Sequence, residues 1–183
     1  ANANHGDDYA DAAGQTGVIG KGQQFDGTDD YIDLGAPSSL QPANVTVSGW
    51  GYLDTAGGVT YPRLWGSTDN YAYRMQYNTD ANEYRWEYGN GSGNAWVDHS
   101  GSVTGSWQYL AGTYDLTDLK IYVNGDSTNV NLETDAISYS GLTGFCIGRR
   151  DDDTRFWKGY VDEIRVSNIA RSTDWIKLCY HTQ

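Results

Sequence analysis

Carboxylates are the residues whose spacing first suggests chemistry. Asp26, Asp29 and Asp30 fall within five residues around an Asp26-Gly27 turn. Like charges so close repel unless solvent or a cation screens them. A hard cation such as Ca²⁺ takes about six to eight carboxylate and carbonyl oxygens. The same stretch also reads as an Asp-Gly turn in water. A second pair, Glu83 and Glu87, shares one face of a strand, as a catalytic acid and base would. Four residues at ~3.3 Å each put them roughly 13 Å apart. Retaining glycosidases need about 5–5.5 Å and inverting ones about 6.5–9.5 Å, so the pair fails either geometry. His99 and His181 have no Ser or Cys partner that the sequence places beside them.

A third group suits binding. Sugars offer an apolar C–H face to flat aromatics, and hydroxyls to amide, carboxylate and guanidinium groups. Arg74, Gln76, Arg85 and Glu87 supply the polar set, with Trp50 or Tyr52 expected beside them. Trp50, Tyr52, Trp65, Trp96 and Trp157 are the aromatics least consumed by an apolar strand face, whereas Trp86, Trp107 and Trp175 read as core. The plainer alternatives are a solvated sheet face and tryptophans that only fill the interior.

Short strands must position these groups. Tyr31, Asp33 and Gly35 alternate with Ile32 and Leu34, the period of a half-buried strand. In 45–52, Val45, Val47, Gly49 and Gly51 form a small face able to meet a facing sheet. Turn chemistry from Asp54 to Gly58 ends that strand. Tyr71/Tyr73/Met75/Tyr77 oppose Ala72/Arg74/Gln76, and Tyr84/Trp86/Tyr88 oppose Glu83/Arg85/Glu87. Asn78 to Asn82 joins these two as a hairpin that carries the polar set on one outer surface. Asn124-Gly125 signals a type I′ turn. Residues 126–141 read as a strand-poor connection. A helix of one or two turns is expected from Ser172 to Leu178, capped by Ser172. About a dozen strands with almost no helix read as an all-β sandwich or barrel.

Several motifs follow one another in order: Phe25-Asp26-Gly27-x-Asp29-Asp30-Tyr31, Trp107, Ala111-Gly112-Thr113-Tyr114-Asp115, Leu119-Lys120-Ile121-Tyr122-Val123-Asn124-Gly125, Ile147-Gly148-Arg149, and Gly159-x-Val161-Asp162-Glu163-Ile164-Arg165-Val166. With the ending Ala170 to Ile176, they make the chain resemble the laminin-G-like, concanavalin-A-like jelly-roll family from about Gly20 onward. The resemblance implies a two-sheet antiparallel jelly-roll sandwich, residues 1–183 forming one domain. It also implies that the first and last strands lie side by side, so that a structural Ca²⁺ is held by Asp26, Gly27 and Asp162. Asp30 is added on chemistry alone, and Asp29 competes for its place. The Glu-x-Asp-x-Glu spacing of hydrolase relatives, and the Gln-x-His and Tyr-x-Lys strands of lyase relatives, do not occur here. The expectation is a noncatalytic carbohydrate-binding module; the alternative is a protein-binding or structural adhesion module without glycan binding.

Composition agrees. Aromatics make up 14% of 183 residues, too many for a disordered acidic segment, and 23 glycines suit many tight turns. A formal net charge of −12 argues against nucleic acid and anionic membrane surfaces as partners. It suits cations and neutral polyols. No apolar run approaches the ~18–20 residues of a membrane span. The chain starts at Ala1 without a visible leader, so the expectation is a module excised from a larger exported protein, secreted or at the cell surface beside other domains. Cys146 and Cys179 can pair once in an oxidising compartment or stand as two buried small residues. His5 reads as a surface residue.

Overall fold

The computed structural model describes residues 7–9, 14–54, 59–100, 104–127 and 129–183. His5 and the Gly57-Gly58 turn lie outside them. Fourteen strands and one α-helix are described: β1 (Asp7–Tyr9), β2 (Gly14–Thr16), β3 (Lys21–Asp26), β4 (Tyr31–Gly35), β5 (Val45–Leu53), β6 (Arg63–Gly66), β7 (Tyr73–Asn78), β8 (Glu83–Gly89), β9 (Asn94–Ser100), β10 (Trp107–Tyr114), β11 (Asp118–Val123), β12 (Val130–Leu132), β13 (Phe145–Ile147), β14 (Lys158–Ser167) and α1 (Thr173–Thr182). They form two seven-stranded antiparallel sheets. The first runs β1-β4-β13-β6-β7-β8-β9 and the second β12-β11-β10-β5-β14-β3-β2. This is the expected jelly-roll sandwich.

The period-2 pattern decides what lies between the sheets. Tyr73, Met75 and Tyr77 on β7, and Tyr84, Trp86 and Tyr88 on β8, enter one core with Val45, Val47 and Leu53 of β5 and Ile121 of β11. The fit is close at Trp86: a β-carbon on Gly112 of β10 would lie 2.1 Å from the indole. Asn124 and Gly125 both take positive φ, as the I′ turn requires. Trp65, expected to be free, joins the core where a bulge shifts the β6–β7 register. Trp157 is also fully buried.

Helix α1 is longer than one or two turns. Ser172 caps it, accepting the Trp175 N–H at 3.3 Å. Ile176 and Tyr180, four apart on one face, pack on Trp50, Tyr109 and Tyr122 outside the second sheet, which carries the helix on past Leu178. Among the described residues of 126–141, the one strand is the three-residue β12. Both cysteines are free. Cys146 lies in the first sheet, while Cys179 belongs to α1 beyond the second. The sandwich between them keeps the two thiols from pairing, since stacked sheets are ~10 Å apart. Burial pushes the Cys146 thiol up to about 12.

Candidate functional site

The outer face of the first sheet carries two rows of side chains across β6 to β9. One row aligns Arg63, Gln76, Arg85 and Asp98; the other aligns Arg74, Glu87 and Trp96. Adjacent strands are ~4.8 Å apart, so long polar side chains in a row reach each other. Arg63 Nη2 donates to Gln76 Oε1 at 2.8 Å, and Gln76 Nε2 donates to Glu87 Oε2 at 2.8 Å. Arg74 Nη2 bonds the other Glu87 oxygen. Both Glu87 oxygens are thus engaged, and Glu83 accepts a bond from Ser100 Oγ at 2.8 Å.

The four polar residues expected on one surface do share it, but they are not equally open. The segment 67–71 folds back over the sheet. Arg63 donates to the Ser67 carbonyl, and Arg74 donates to Thr68 O at 3.2 Å. Arg74, Gln76 and Glu87 are therefore buried, and Arg85 is the member that a ligand could touch. Arg85 is held rigidly, its Nε and Nη2 donating to the two oxygens of Asp98 at 2.7 and 2.9 Å. Its guanidinium carbon lies 4.9 Å from the centre of the Trp96 ring and 5.4 Å from that of Tyr61. Trp96 is 47% exposed.

Asp69, on the folded-back segment, closes the strip at one side. It faces Arg63 at 3.1 Å, Arg150 at 3.0 Å, Arg74 at 3.6 Å and Arg155 at 3.7 Å. Burial alone would raise its carboxyl, but the surrounding guanidinium charges outweigh that and hold it below the usual range. Burial, and next the charge of Arg74, push Arg63 down to about 9. Arg155 also lies over Tyr61, at 5.6 Å. The accessible strip therefore runs Trp96, Arg85, Tyr61 and Arg155, aromatics alternating with cations, and ends at Asp69 and Arg150.

Trp50 and Tyr52 do not join it. Both belong to β5 of the second sheet, where alternate residues point away from the first. Trp50 lies 5.3 Å from Tyr109 and 5.8 Å from Tyr180, under α1. Tyr52 packs against Trp107 and Tyr160 at 5.9 and 5.3 Å.

The family model described as the concanavalin A-like lectin/glucanases superfamily, Laminin_G_3, matches residues 26–177. The chain belongs to this superfamily. No curated protein sequence matches it. Among solved structures, domain 4 of AbnA, a GH43 extracellular arabinanase from Geobacillus stearothermophilus in complex with arabinotriose, is 20% identical with a TM-score of 0.71; the match covers 90% of this chain and 79% of that one. The binding domain of Paraclostridial Mosquitocidal Protein 1 is 14% identical with a TM-score of 0.75, covering 98% of this chain and 47% of that one. A structure of botulinum neurotoxin type C, whose cell entry depends on interaction with two ganglioside molecules, is 9% identical with a TM-score of 0.72, covering 98% and 47%. The chain thus spans about half the length of those two toxin structures.

The superfamily's side-by-side end strands are present, but their register separates the expected metal ligands. Lys158 of β14 faces Asp26 of β3. Asp162 is therefore four residues further along the strand, where its Oδ2 accepts the Ile19 N–H at 2.8 Å. It does not meet the early turn. Asp26, Asp29 and Asp30 do converge, with one oxygen from each within 4.8 Å of the others. Within that turn, Asp26 Oδ1 accepts the Thr28 N–H at 2.7 Å and Asp30 Oδ2 the Asp26 N–H at 2.8 Å. The triad fits a hard cation in oxygen type and spacing, Asp29 joins it, and Asp162 does not fit. Gly27 has φ +83° beside Lys158.

Within the superfamily fold, sequence reasoning missed Tyr61, Arg63, Asp69, Asp98, Arg150 and Arg155. Arg149, Arg150 and Arg155 bracket Asp151 to Asp153, and such a run reads as a solvated loop. Only its closure onto Asp69 gives Arg150 and Arg155 a place. Trp96 carried a signal, as an aromatic without an apolar face to fill.

Proposed function

We propose that this chain is a noncatalytic carbohydrate-binding module whose ligand lies along Trp96, Arg85 and Tyr61. The observation that carries this reading is the half-exposed Trp96 braced by an Arg85 that Asp98 fixes in two hydrogen bonds. A large aromatic held open to solvent offers a sugar ring a flat apolar platform without ordering cost. The arabinotriose on the AbnA domain supports the substrate class. No helix among the described residues is long and apolar enough to cross a membrane, and a secreted or surface location goes with this reading.

The test is a soluble-polysaccharide gel shift with wild type and Trp96→Ala. Once a binding polymer is found, the variant should keep its fold by circular dichroism and lose tenfold or more in affinity, about 1.4 kcal/mol. Undiminished binding by a folded variant would put the site elsewhere. Failure to bind any glycan on an array would favour the protein-binding alternative. We also propose a structural Ca²⁺ at the Asp26, Asp29 and Asp30 turn, with the Gly27 carbonyl beside it and Asp162 outside the set.

A further inference from the structure

We propose that the glycan is acidic: the strip takes a uronic acid whose carboxylate pairs with Arg150 and Arg155, next to sugar rings on Tyr61 and Trp96. This rests on the glycan-binding reading and names its ligand class. Six of the chain's eight arginines, Arg63, Arg74, Arg85, Arg149, Arg150 and Arg155, lie on or beside one face of a chain whose net charge is −12. Four of them converge on the single carboxylate of Asp69. Arg74 has Glu87 as a second partner and Arg150 has Asp152 at 3.4 Å. Among the described ion pairs, Arg63 and Arg155 have Asp69 alone. The buried Nε groups of Arg63, Arg74 and Arg150 make no hydrogen bond.

Asp152 and Asp153 give this corner little help, because their side chains are 44% and 78% exposed and solvent screens their pairs with Arg150 and Arg149. Asp69 thus faces four guanidinium groups, two of them completely buried, with Glu87 assisting Arg74 and Asp152 assisting Arg150. Buried cations gain most from a second anion, since desolvation there is least compensated. Arg150 and Arg155 are the two with accessible side chains, at 19% and 27%. A guanidinium offers a planar fork that matches a carboxylate in two parallel hydrogen bonds. Tyr61 lies under both Arg155 and Arg85, so an anion there has an aromatic surface next to it. That neighbour favours a sugar acid over a bare anion.

The experiment compares polygalacturonate and alginate with their carboxyl-reduced forms, which keep the sugar backbone without the charge. Affinity electrophoresis and calorimetry on the full chain should show at least tenfold weaker binding to a reduced polymer than to its acid form. Arg155→Gln should lose affinity for the acid form severalfold, its fold checked by circular dichroism, and Arg150→Gln should repeat the result. Equal binding to acid and reduced polymers, lost in Trp96→Ala, would overturn this proposal and leave the glycan-binding reading standing. Dextran sulfate binding as tightly as either uronate polymer would overturn the assignment to a carboxylate. No binding to either uronate polymer would overturn this proposal, and the glycan-binding reading would fall only if a glycan array also gave nothing.

Discussion

Asp69 is the residue on which the site's electrostatics turn. Its carboxyl titrates below the usual range because four guanidinium groups surround it, against the opposing effect of burial. A carboxylate with a lowered folded pKa contributes stability that is present above its unfolded value of about 3.9 and is lost as pH falls through the folded one. Wild type should therefore lose stability in urea melts as pH falls below about 4. Asp69→Asn should start lower at pH 7 and lose less over the same acid range. An identical pH slope in both proteins would show that Asp69 does not stabilise the arginine corner. At this scale the sequence was half legible. Arg85 and Glu87 could be placed on one face because alternation is local. Asp98, the partner that fixes Arg85, could not, because pairing of β8 with β9 depends on a register that a single strand does not encode.

Among the elements, β8 and β10 show how closely the sheets are matched. Trp86 sits where Gly112 leaves room for the indole. Gly112→Ala adds one methyl to a packed interface, and overpacking costs about 1–3 kcal/mol. Thermal unfolding should show that loss at Gly112, whereas Gly93→Ala in the open β8–β9 turn, where a β-carbon meets nothing within 4 Å, should change little. Similar melting for both variants would mean that the indole shifts freely. Core faces were readable because apolar and polar residues alternate cleanly in β7 and β8. The fate of Trp50 was not. Its outward direction follows from alternation, but the helix that covers it arrives from more than a hundred residues away. Trp65 was misread for a different reason: the β6 bulge breaks the period that assigned it.

For the whole molecule, the proposed cation links the turn at Asp26 to global stability. An ion bound only by the folded chain at about 100 times its dissociation constant adds about 2.7 kcal/mol. EGTA should lower the melting temperature, and Ca²⁺ should restore it better than Mg²⁺, which demands a tighter octahedral cage. Asp162→Asn should leave that Ca²⁺ response intact, because Asp162 is held at Ile19 instead. An unchanged melting curve after exhaustive chelation would reduce the triad to a solvated turn. The gathering of arginines has a kinetic consequence as well. On the strip face, six arginines stand against Asp69, Glu83, Glu87, Asp98, Asp151, Asp152 and Asp153, so that face is near neutral and most of the −12 belongs to the rest of the surface. A polyanion drifting toward the molecule meets less repulsion at that face than the net charge of −12 would suggest. The surrounding charge thus orients the encounter without adding to the grip. Because that repulsion reaches only about 8 Å at physiological ionic strength, moderate salt would quicken the arrival of an acidic chain rather than hinder it.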